Sequence, residues 1–263
     1  MIEVKNITKS TKEGQQILKG ISFEANKGDF IGILGPSGAG KTLTMRCLNG
    51  LTKPTTGEIT IRIDGKEHDI THYRGKKLRR VRQKIGVVFQ GFNLVKRLTV
   101  LENVMIGKLG QINQFRSLLK GFNDYEAQKA LEALKKVKIE KLAERKVGSL
   151  SGGEMQRVAI ARAIFQDPVI LLADEPIANL DPTNAKKIMK RLKPLSEEMP
   201  VIGVFHQPEI AAKYCNRIIA LKDGKIFYDG DANITESFLE EIYGDELQEI
   251  ENLSKEIAQP SLK

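Results

Sequence analysis

The stretch GPSGAGKT (Gly35–Thr42) constrains the fold of this chain more than any other stretch does. It matches the pattern G-x-x-x-x-G-K-[ST], which forms a phosphate-binding loop when a strand precedes it and a helix follows it. The apolar run FIGIL (Phe30–Leu34) comes directly before it and is typical of a buried strand. A helix is expected to follow, from about Lys41 to Asn49. The sequence therefore predicts a nucleotide-binding α/β core.

The residue types in this loop suit the binding of phosphate groups. Gly35, Gly38 and Gly40 allow tight turns, so that backbone N–H groups can point inward at phosphate oxygens. Lys41 can reach the terminal phosphates, and Thr42 offers a hydroxyl group to Mg²⁺.

Apolar periodicity places further strands and helices on both sides of the loop. Strands are predicted at Ile2–Ile7, Ile17–Phe23, Phe30–Leu34, Glu58–Ile63, Ile85–Phe89, 169–174, 201–205 and 217–222. The pattern turns helical from Leu98 to Leu150, and again after Pro182 and near Glu209. Continuous apolar strands that alternate with helices indicate a sheet covered on both faces.

Polar residues end three of these predicted strands. In VILLADEP (Val169–Pro176), Asp174 is a candidate for the Mg²⁺ shell, and Glu175 for orienting or deprotonating an attacking water. Taken alone, this acidic pair also fits a strand that meets a helix cap. Gln90 and His206 likewise follow apolar strands, where a polar residue needs no function of its own. Their order behind a phosphate loop favours the functional interpretation.

A second stretch suited to an anion, LSGGEMQRV (Leu150–Val158), lies far downstream of the phosphate loop. With these motifs in this order, the chain resembles the ATPase subunits of ABC transporters. The resemblance implies a head-to-tail dimer with two ATP molecules held at its interface. It also implies that each copy contacts the ATP of the other copy through Ser151, Gly152, Gly153, Glu154 and Asp181.

The same resemblance assigns roles within one copy. The ATP-binding residues would be Gly35, Pro36, Ser37, Gly38, Ala39, Gly40, Lys41 and Thr42. Mg²⁺ would be held by Thr42, Gln90 and Asp174. The catalytic residues would be Glu175 as the base, His206 at the γ-phosphate, and Gln90, which would also sense the membrane subunits.

The resemblance also fixes the expected architecture. It implies an α/β P-loop NTPase fold, in which an ABC ATPase core carries an antiparallel β subdomain and a helical subdomain. We expect a single domain over residues 1–245, with the helical subdomain inserted at about 92–165. Residues 246–263 form an acidic tail, and a surface helix is expected around residues 236–253.

Two residues depart from the usual pattern of this family. Thr11 stands where members usually place an aromatic residue that stacks on adenine, so an aliphatic contact or weaker stacking is expected. Glu154 stands where glutamine is commoner. Because a carboxylate repels phosphate, we expect the side chain of Glu154 to face away from the nucleotide.

Stretches outside the nucleotide motifs narrow the resemblance. RCLNGL (46–51), FNLVKRLTVLENVMIGKLG (92–110), FRSLLKGF (115–122) and EIYG (241–244) look like the ATPases of bacterial phosphonate importers. This likeness implies uptake of phosphonates or related phosphorus compounds. An ATPase of an exporter, or of an importer for another small solute, is the alternative.

Composition bounds the partners. No apolar run is long enough to span a bilayer, so integral membrane permease subunits are the expected partners, with an extracytoplasmic solute-binding protein acting indirectly. Phe92 and Leu94 are candidates for contact with the permease, whereas Val100 and Val104 are expected in the core. The expected location is the cytoplasmic face of the membrane, as a peripheral protein.

The net charge of +9 does not by itself indicate nucleic acid. No RNA-binding signature or zinc-finger spacing occurs, and the basic run Arg74–Lys84 fits a solvated helix face, so no nucleic-acid partner is expected. The DNA-repair and translation classes of ABC ATPase need inserts or a second ATPase domain that this chain lacks. A simple P-loop kinase or GTPase would lack LSGGE.

Overall fold

The computed structural model describes residues 1–111 and 123–244, in which ten strands form two sheets. The antiparallel sheet has the order β2-β1-β4-β5, and the larger sheet has the order β10-β9-β3-β8-β7-β6. The strands are β1 (Ile2–Ser10), β2 (Gln16–Ala25), β3 (Phe30–Leu34), β4 (Thr56–Ile63), β5 (Lys66–Asp69), β6 (Ile85–Val88), β7 (Ile170–Asp174), β8 (Val201–Val204), β9 (Arg217–Lys222) and β10 (Lys225–Asp231).

The larger sheet is parallel from β9 to β6, with only β10 running antiparallel at its edge. In register, Phe30 pairs with Val201, and Leu172 pairs with Ile202. Because the carboxyl ends of parallel strands meet at one edge, the loops after β3, β6, β7 and β8 lie side by side. This edge is where the predicted site residues are found.

Both faces of the larger sheet are buried, as the continuous apolar strands predicted. Alternate residues of β3 belong to different hydrophobic clusters, with Phe30 and Leu34 in one cluster and Ile31 and Ile33 in the other. The first cluster includes the helices of the helical subdomain, and the second includes strands of the antiparallel sheet. The sheet therefore joins the two subdomains through a core on each face.

Within residues 1–111 and 123–244 the structure has seven α-helices, several short 3₁₀ turns and one further helical segment. They are α1 (Lys41–Leu48), α2 (Gly75–Arg82), α3 (Val100–Met105), α4 (Asp124–Lys136), α5 (Gly152–Phe165), α6 (Pro182–Leu192) and α7 (Pro208–Tyr214). The further segment, residues 236–244, is helical and is called here the terminal helical segment. Helices α3, α4 and α5 pack on one another and form the helical subdomain.

Several predicted elements are confirmed with small changes of bounds. β3 and β9 have the predicted ends, whereas β1 extends further towards the hairpin that follows it and β2 is longer at both ends. The basic run forms α2, which is solvated except for the buried Val81 and the half-buried Leu78. Val100 and Val104 are fully buried, as expected. All of FRSLLKGF (115–122) lies outside the described residues.

Two strands were not predicted, and one expectation changes. β5 is short and polar, and β10 pairs with β9 through a turn at Asp223 (φ 51°) and Gly224 (φ 78°). Leu94 packs against the core cluster, which favours a structural role for it. Phe92 is half-buried and has a positive φ of 57°.

The fully buried Asn103 organises the loop before α3. Its Oδ1 accepts a hydrogen bond from the backbone N–H of Val95 (2.8 Å), and its Nδ2 donates to the carbonyl oxygens of Val95 (3.0 Å) and Thr99 (2.9 Å). Asn103→Leu keeps the branched shape of the side chain but leaves these backbone groups unpaired. We expect the free energy of unfolding in urea to fall by about 1–3 kcal/mol.

The exposed Arg97 in the same loop provides the control for this prediction. Arg97→Ala should change the free energy of unfolding by no more than about 0.5 kcal/mol. Equal unfolding free energies for the Asn103→Leu and Arg97→Ala variants would contradict the role given to Asn103.

Candidate functional site

The phosphate loop leaves β3 through a turn that only glycine can make. Gly35 has a φ of 140°, and a Cβ atom added there would lie 2.1 Å from the carbonyl oxygen of Leu221. Gly40 has a φ of 98°, and a Cβ atom there would lie 2.5 Å from Cδ2 of Leu18. Gly40 is also the N-cap of α1 and has no side chain, so no side-chain cap binds the first N–H groups of this helix. These groups suit an anion.

Lys41 brings a buried positive charge to this loop. Only 6% of the residue is exposed, and its Nζ donates hydrogen bonds to the carbonyl oxygens of Gly35 (2.6 Å) and Pro36 (2.9 Å). A buried ammonium group is tolerated only when such acceptors surround it. The backbone of the loop thus binds the ammonium group of Lys41.

Glu175 is held from two sides at the end of β7. Gln90 Nε2 donates to Glu175 Oε2 (2.7 Å), and His206 Nε2 donates to Glu175 Oε1 (2.6 Å). The side chain of Glu175 is 16% exposed, and its backbone has a φ of 50°, which is uncommon outside glycine. The structure therefore joins the three predicted catalytic residues, which come from the ends of three neighbouring strands.

Asp174 lies beside this cluster. Burial raises the pKa of Asp174, and the neighbouring Glu175 carboxylate raises it further, while Arg46 and His206 oppose the shift. A group whose charge is disfavoured in this way gains from a nearby cation. Asp174 therefore fits the role of a metal ligand.

The side chains around Asp174 also indicate which metal ion fits this site. Within residues 1–111 and 123–244, no group of three or more His, Cys, Asp or Glu side chains is placed to hold a metal ion. Any metal here would rely on one carboxylate with a hydroxyl or amide oxygen, such as those of Thr42 and Gln90. Mg²⁺ is commonly bound by one or two carboxylates together with phosphate oxygens and water, so the donor set fits Mg²⁺.

Ser151 caps the start of α5 in a reciprocal arrangement with Glu154. The Ser151 hydroxyl oxygen accepts from the Glu154 backbone N–H (3.3 Å), and Glu154 Oε2 accepts from the Ser151 backbone N–H (2.8 Å) and hydroxyl (2.9 Å). The hydrogen bond from the Ser151 backbone is the main cause of a lowered pKa for the Glu154 carboxyl. A glutamate three residues after a serine cap folds back on it, so the Glu154 side chain lies against Ser151. The expectation that this side chain faces away from the nucleotide stays a prediction.

Asp181 performs the same task for α6. Its Oδ1 accepts from the backbone N–H groups of Thr183 and Asn184 (both 3.0 Å), and its Oδ2 accepts from Nδ2 of Asn184 (2.6 Å). Asn184 in turn lies against Gly153, where an added Cβ atom would meet Asn184 Cγ at 2.8 Å. The starts of α5 and α6 are therefore locked together through Asn184.

Three residues near the site were missed by sequence reasoning. Arg162 donates to the carbonyl oxygens of Asn93 (2.5 Å) and Phe92 (2.8 Å), Asn184 packs on Gly153, and Tyr243 accepts from the Gly35 N–H (2.9 Å). Each contact joins residues that are distant in the chain. Even the nearest pair, Gly153 and Asn184, has the whole of β7 between its members in the sequence. EIYG marked Tyr243 as part of a likeness, but gave it no role.

A groove of about 690 Å³ lies next to the loop after Gln90. Arg79, Arg82 and Arg162 line it together with Phe89 and Asn93. Phe92 and Leu94 are not among the residues that line it.

A phosphate loop after one strand of a parallel sheet, with an acidic pair after another strand of the same sheet, defines a P-loop nucleotide-binding protein. Residues 18–178 match the family model described as "ABC transporter", and the chain belongs to this family.

Relatives and solved structures agree with this assignment. A protein of Mesoplasma florum named "Phosphonates import ATP-binding protein PhnC" is 41% identical over 93% of this chain and 100% of the relative. One of the same name from Shouchella clausii is 41% identical over 99% of this chain and 98% of the relative.

Two solved structures show the same fold. The ATP-binding cassette MJ0796, in a dimeric post-hydrolysis state bound to ADP and Pi, matches with 38% identity and a TM-score of 0.72, over 89% of this chain and all of that chain. The cbiO1 protein of Clostridium perfringens, part of the cbiONQ ABC transporter complex, matches with 29% identity and a TM-score of 0.77, over 97% and 98% of the two chains. The predicted fold of an ABC ATPase is confirmed.

The contact between Gly153 and Asn184 gives a test of the lock between α5 and α6. Gly153→Ala places a methyl group inside contact distance of Asn184, so we expect the free energy of unfolding to fall by about 1–3 kcal/mol. Asn184→Ala in the Gly153→Ala background should recover part of this loss, because it removes the opposing atoms.

Gly152→Ala is the matched control, since its added Cβ atom meets only Leu180 Cδ2, at an ordinary 3.6 Å. We expect the stability of this control to stay near that of the unchanged protein. Equal losses for Gly152→Ala and Gly153→Ala, measured by urea unfolding, would show that the lock is absent.

Proposed function

We propose that this chain is the ATP-hydrolysing subunit of an ABC importer for phosphonates or related phosphorus compounds. The observation that carries the proposal is the Glu175 carboxylate, fixed by Gln90 and His206 at the sheet edge that also bears the phosphate loop. Membership of the ABC transporter family supports the ATPase assignment. The names of the relatives at 41% identity support the cargo.

The phosphate groups of ATP are held by the loop Gly35–Thr42. Its N–H groups surround the phosphates, and Lys41 exchanges loop carbonyl oxygens for phosphate oxygens. Thr42, Gln90 and Asp174 are the residues that would hold Mg²⁺. When bound, Mg²⁺ neutralises negative charge on the phosphate oxygens. The Gln90 amide oxygen remains available for this role while Nε2 donates to Glu175.

Glu175 orients the attacking water and takes its proton. Donors on both carboxylate oxygens fix the group in place, and each oxygen retains a lone pair for the water. The water oxygen bonds to the γ-phosphorus, the bond from that phosphorus to the bridging oxygen breaks, and ADP leaves with the electron pair. His206 contacts the γ-phosphate during the reaction.

The second copy completes each site in a head-to-tail dimer. The Ser151 hydroxyl, the N–H groups of Gly152, Gly153 and Glu154, and Asp181 contact the ATP of the neighbouring copy. To donate to a phosphate, the Ser151 hydroxyl leaves the Glu154 carboxylate, which lies 2.9 Å away. The related cassette MJ0796 is a dimer in its solved structures, which supports this arrangement.

The membrane partner docks in the groove beside Gln90. No helix in residues 1–111 and 123–244 has the length and apolar character to cross a membrane. In the proposed importer, integral membrane permease subunits supply the transport path, and an extracytoplasmic solute-binding protein delivers the cargo to them. A permease segment in the groove would contact Arg79 and Arg82, and the loop held by Arg162 would pass its movement to Gln90. The chain acts at the cytoplasmic face of the membrane and binds no nucleic acid.

The domain boundaries belong to the same proposal. Residues 1–245 form one ABC ATPase domain, with the helical subdomain at about 92–165. Residues 246–263 form the acidic tail, which lies outside the described residues.

Variants of the nucleotide site test the reaction. Lys41→Ala should abolish tight ATP binding, because it removes the positive charge in the loop. Glu175→Gln should keep binding but lower kcat by about a hundredfold or more, since an amide cannot take the proton. Isothermal titration and phosphate release measure the two effects.

The exposed Glu209, at the start of α7, provides the control. Glu209→Gln should hydrolyse ATP at the normal rate. Full activity of the Glu175→Gln variant would exclude the assigned base.

The cargo is tested in a strain with no second phosphonate importer. Deleting the gene should stop growth on a phosphonate as the only phosphorus source, but not on phosphate, because uptake of the phosphonate then lacks its energy source. The unchanged gene should restore growth, and the Lys41→Ala gene should not. Normal growth of the deletion strain on the phosphonate would contradict the cargo and leave the ATPase assignment standing.

A further inference from the structure

The terminal helical segment (236–244) is attached to strands β9 and β10 of the larger sheet. The Phe238 ring packs edge-on against Tyr228, with ring centroids 4.9 Å apart. Ile242 is only 2% exposed, and Lys222 Nζ donates to the carbonyl oxygen of Glu241 (2.5 Å). The segment is therefore part of the folded core and not a loose extension.

These contacts carry Tyr243 to the phosphate loop. The Tyr243 hydroxyl oxygen accepts a hydrogen bond from the backbone N–H of Gly35 at 2.9 Å, across 208 positions of the chain. Gly35 is the first residue of the loop. The phenol therefore meets the loop where it leaves β3.

Gly35 is held at three points. Its N–H donates to Tyr243, its Cα faces the Leu221 carbonyl so closely that no Cβ atom fits, and its carbonyl oxygen accepts from Lys41 Nζ (2.6 Å). Leu221 and Lys222 are consecutive residues of β9, and one contacts the loop while the other holds the terminal helical segment. A shift of Tyr243 would thus move the peptide that positions the Lys41 ammonium group.

We infer that Tyr243 is a positioning residue of the nucleotide site and that the terminal helical segment sets the affinity of the phosphate loop for nucleotide. This inference rests on the proposed function, since it requires that nucleotide binds at this loop. Tyr243 acts through Gly35 and touches no reacting atom. A purely structural role would instead make it one of several contacts that hold the terminal helical segment in place.

Tyr243→Phe tests the inference, because it removes the hydroxyl oxygen and keeps the ring. We expect KM for ATP and Kd for ADP to rise roughly three- to tenfold, the range expected for the loss of one hydrogen bond. Because the reacting groups are untouched, kcat should change less than about twofold. The thermal midpoint without nucleotide should stay within about 4 °C of that of the unchanged protein.

Tyr228→Phe is the matched control. It makes the same chemical change in the same region, and the hydroxyl it removes donates to the carbonyl oxygen of Asp231 (2.9 Å) instead of contacting the loop. Its KM should stay near that of the unchanged protein. Phe238→Ala should raise KM as Tyr243→Phe does, and combining the two should add little, because both break the same link.

Hydrogen exchange separates failure of this inference from failure of the proposed function. Without nucleotide, Tyr243→Phe should speed exchange of the Gly35 amide roughly tenfold, as expected when one hydrogen bond is lost. Faster exchange with unchanged KM and Kd would overturn the positioning role, and unchanged exchange would overturn the contact itself. A rise in KM of equal size for Tyr228→Phe would also overturn it. If the unchanged protein binds no ADP or ATP, the proposed function fails first and the inference with it.

Discussion

The turn at Gly35 is the constraint on which the site depends. There the chain leaves a buried strand so close to the Leu221 carbonyl that a Cβ atom would lie 2.1 Å from its oxygen. This approach sets the direction of the phosphate loop, and the Gly35 carbonyl then accepts from Lys41. The backbone shape and the position of the positive charge therefore have one origin. Any other residue at this point would disturb both.

The parallel sheet makes one site from residues that are distant in sequence. β6, β7 and β8 end at the same edge, and their last residues place Gln90 and His206 on either side of Glu175. The glycine-rich stretch at Ser151 is organised differently, by a helix cap and by packing against α6. Its conformation is complete within one copy. A glycine-rich helix start of this kind suits the binding of an anion.

Local sequence signals predicted much of this structure, and long-range contacts account for what they missed. Phe30–Leu34 and the loop after it carry strong local patterns, and β3 has the predicted bounds. Asp223 and Gly224 are a local hairpin signal, whereas β10 after them is a partly exposed strand without a continuous apolar run, which apolar periodicity did not predict. The expectation for Glu154 considered only repulsion from phosphate and left out the local cap with Ser151, which holds its side chain. The role of Tyr243 depends on a contact across 208 positions, which no local pattern reveals.

Disulfide cross-linking tests most directly whether the two phosphate-binding stretches meet between copies. Ser37 and Ser151 are both exposed, one in each stretch. Ser37→Cys and Ser151→Cys proteins, each also carrying Glu175→Gln, are mixed with ATP, oxidised and separated without reductant. The account predicts a cross-linked dimer that requires both proteins and ATP. A double variant with both Ser37→Cys and Ser151→Cys serves as the comparison. An internal disulfide in this double variant, with no cross-linked dimer in the mixture of single variants, would contradict the account.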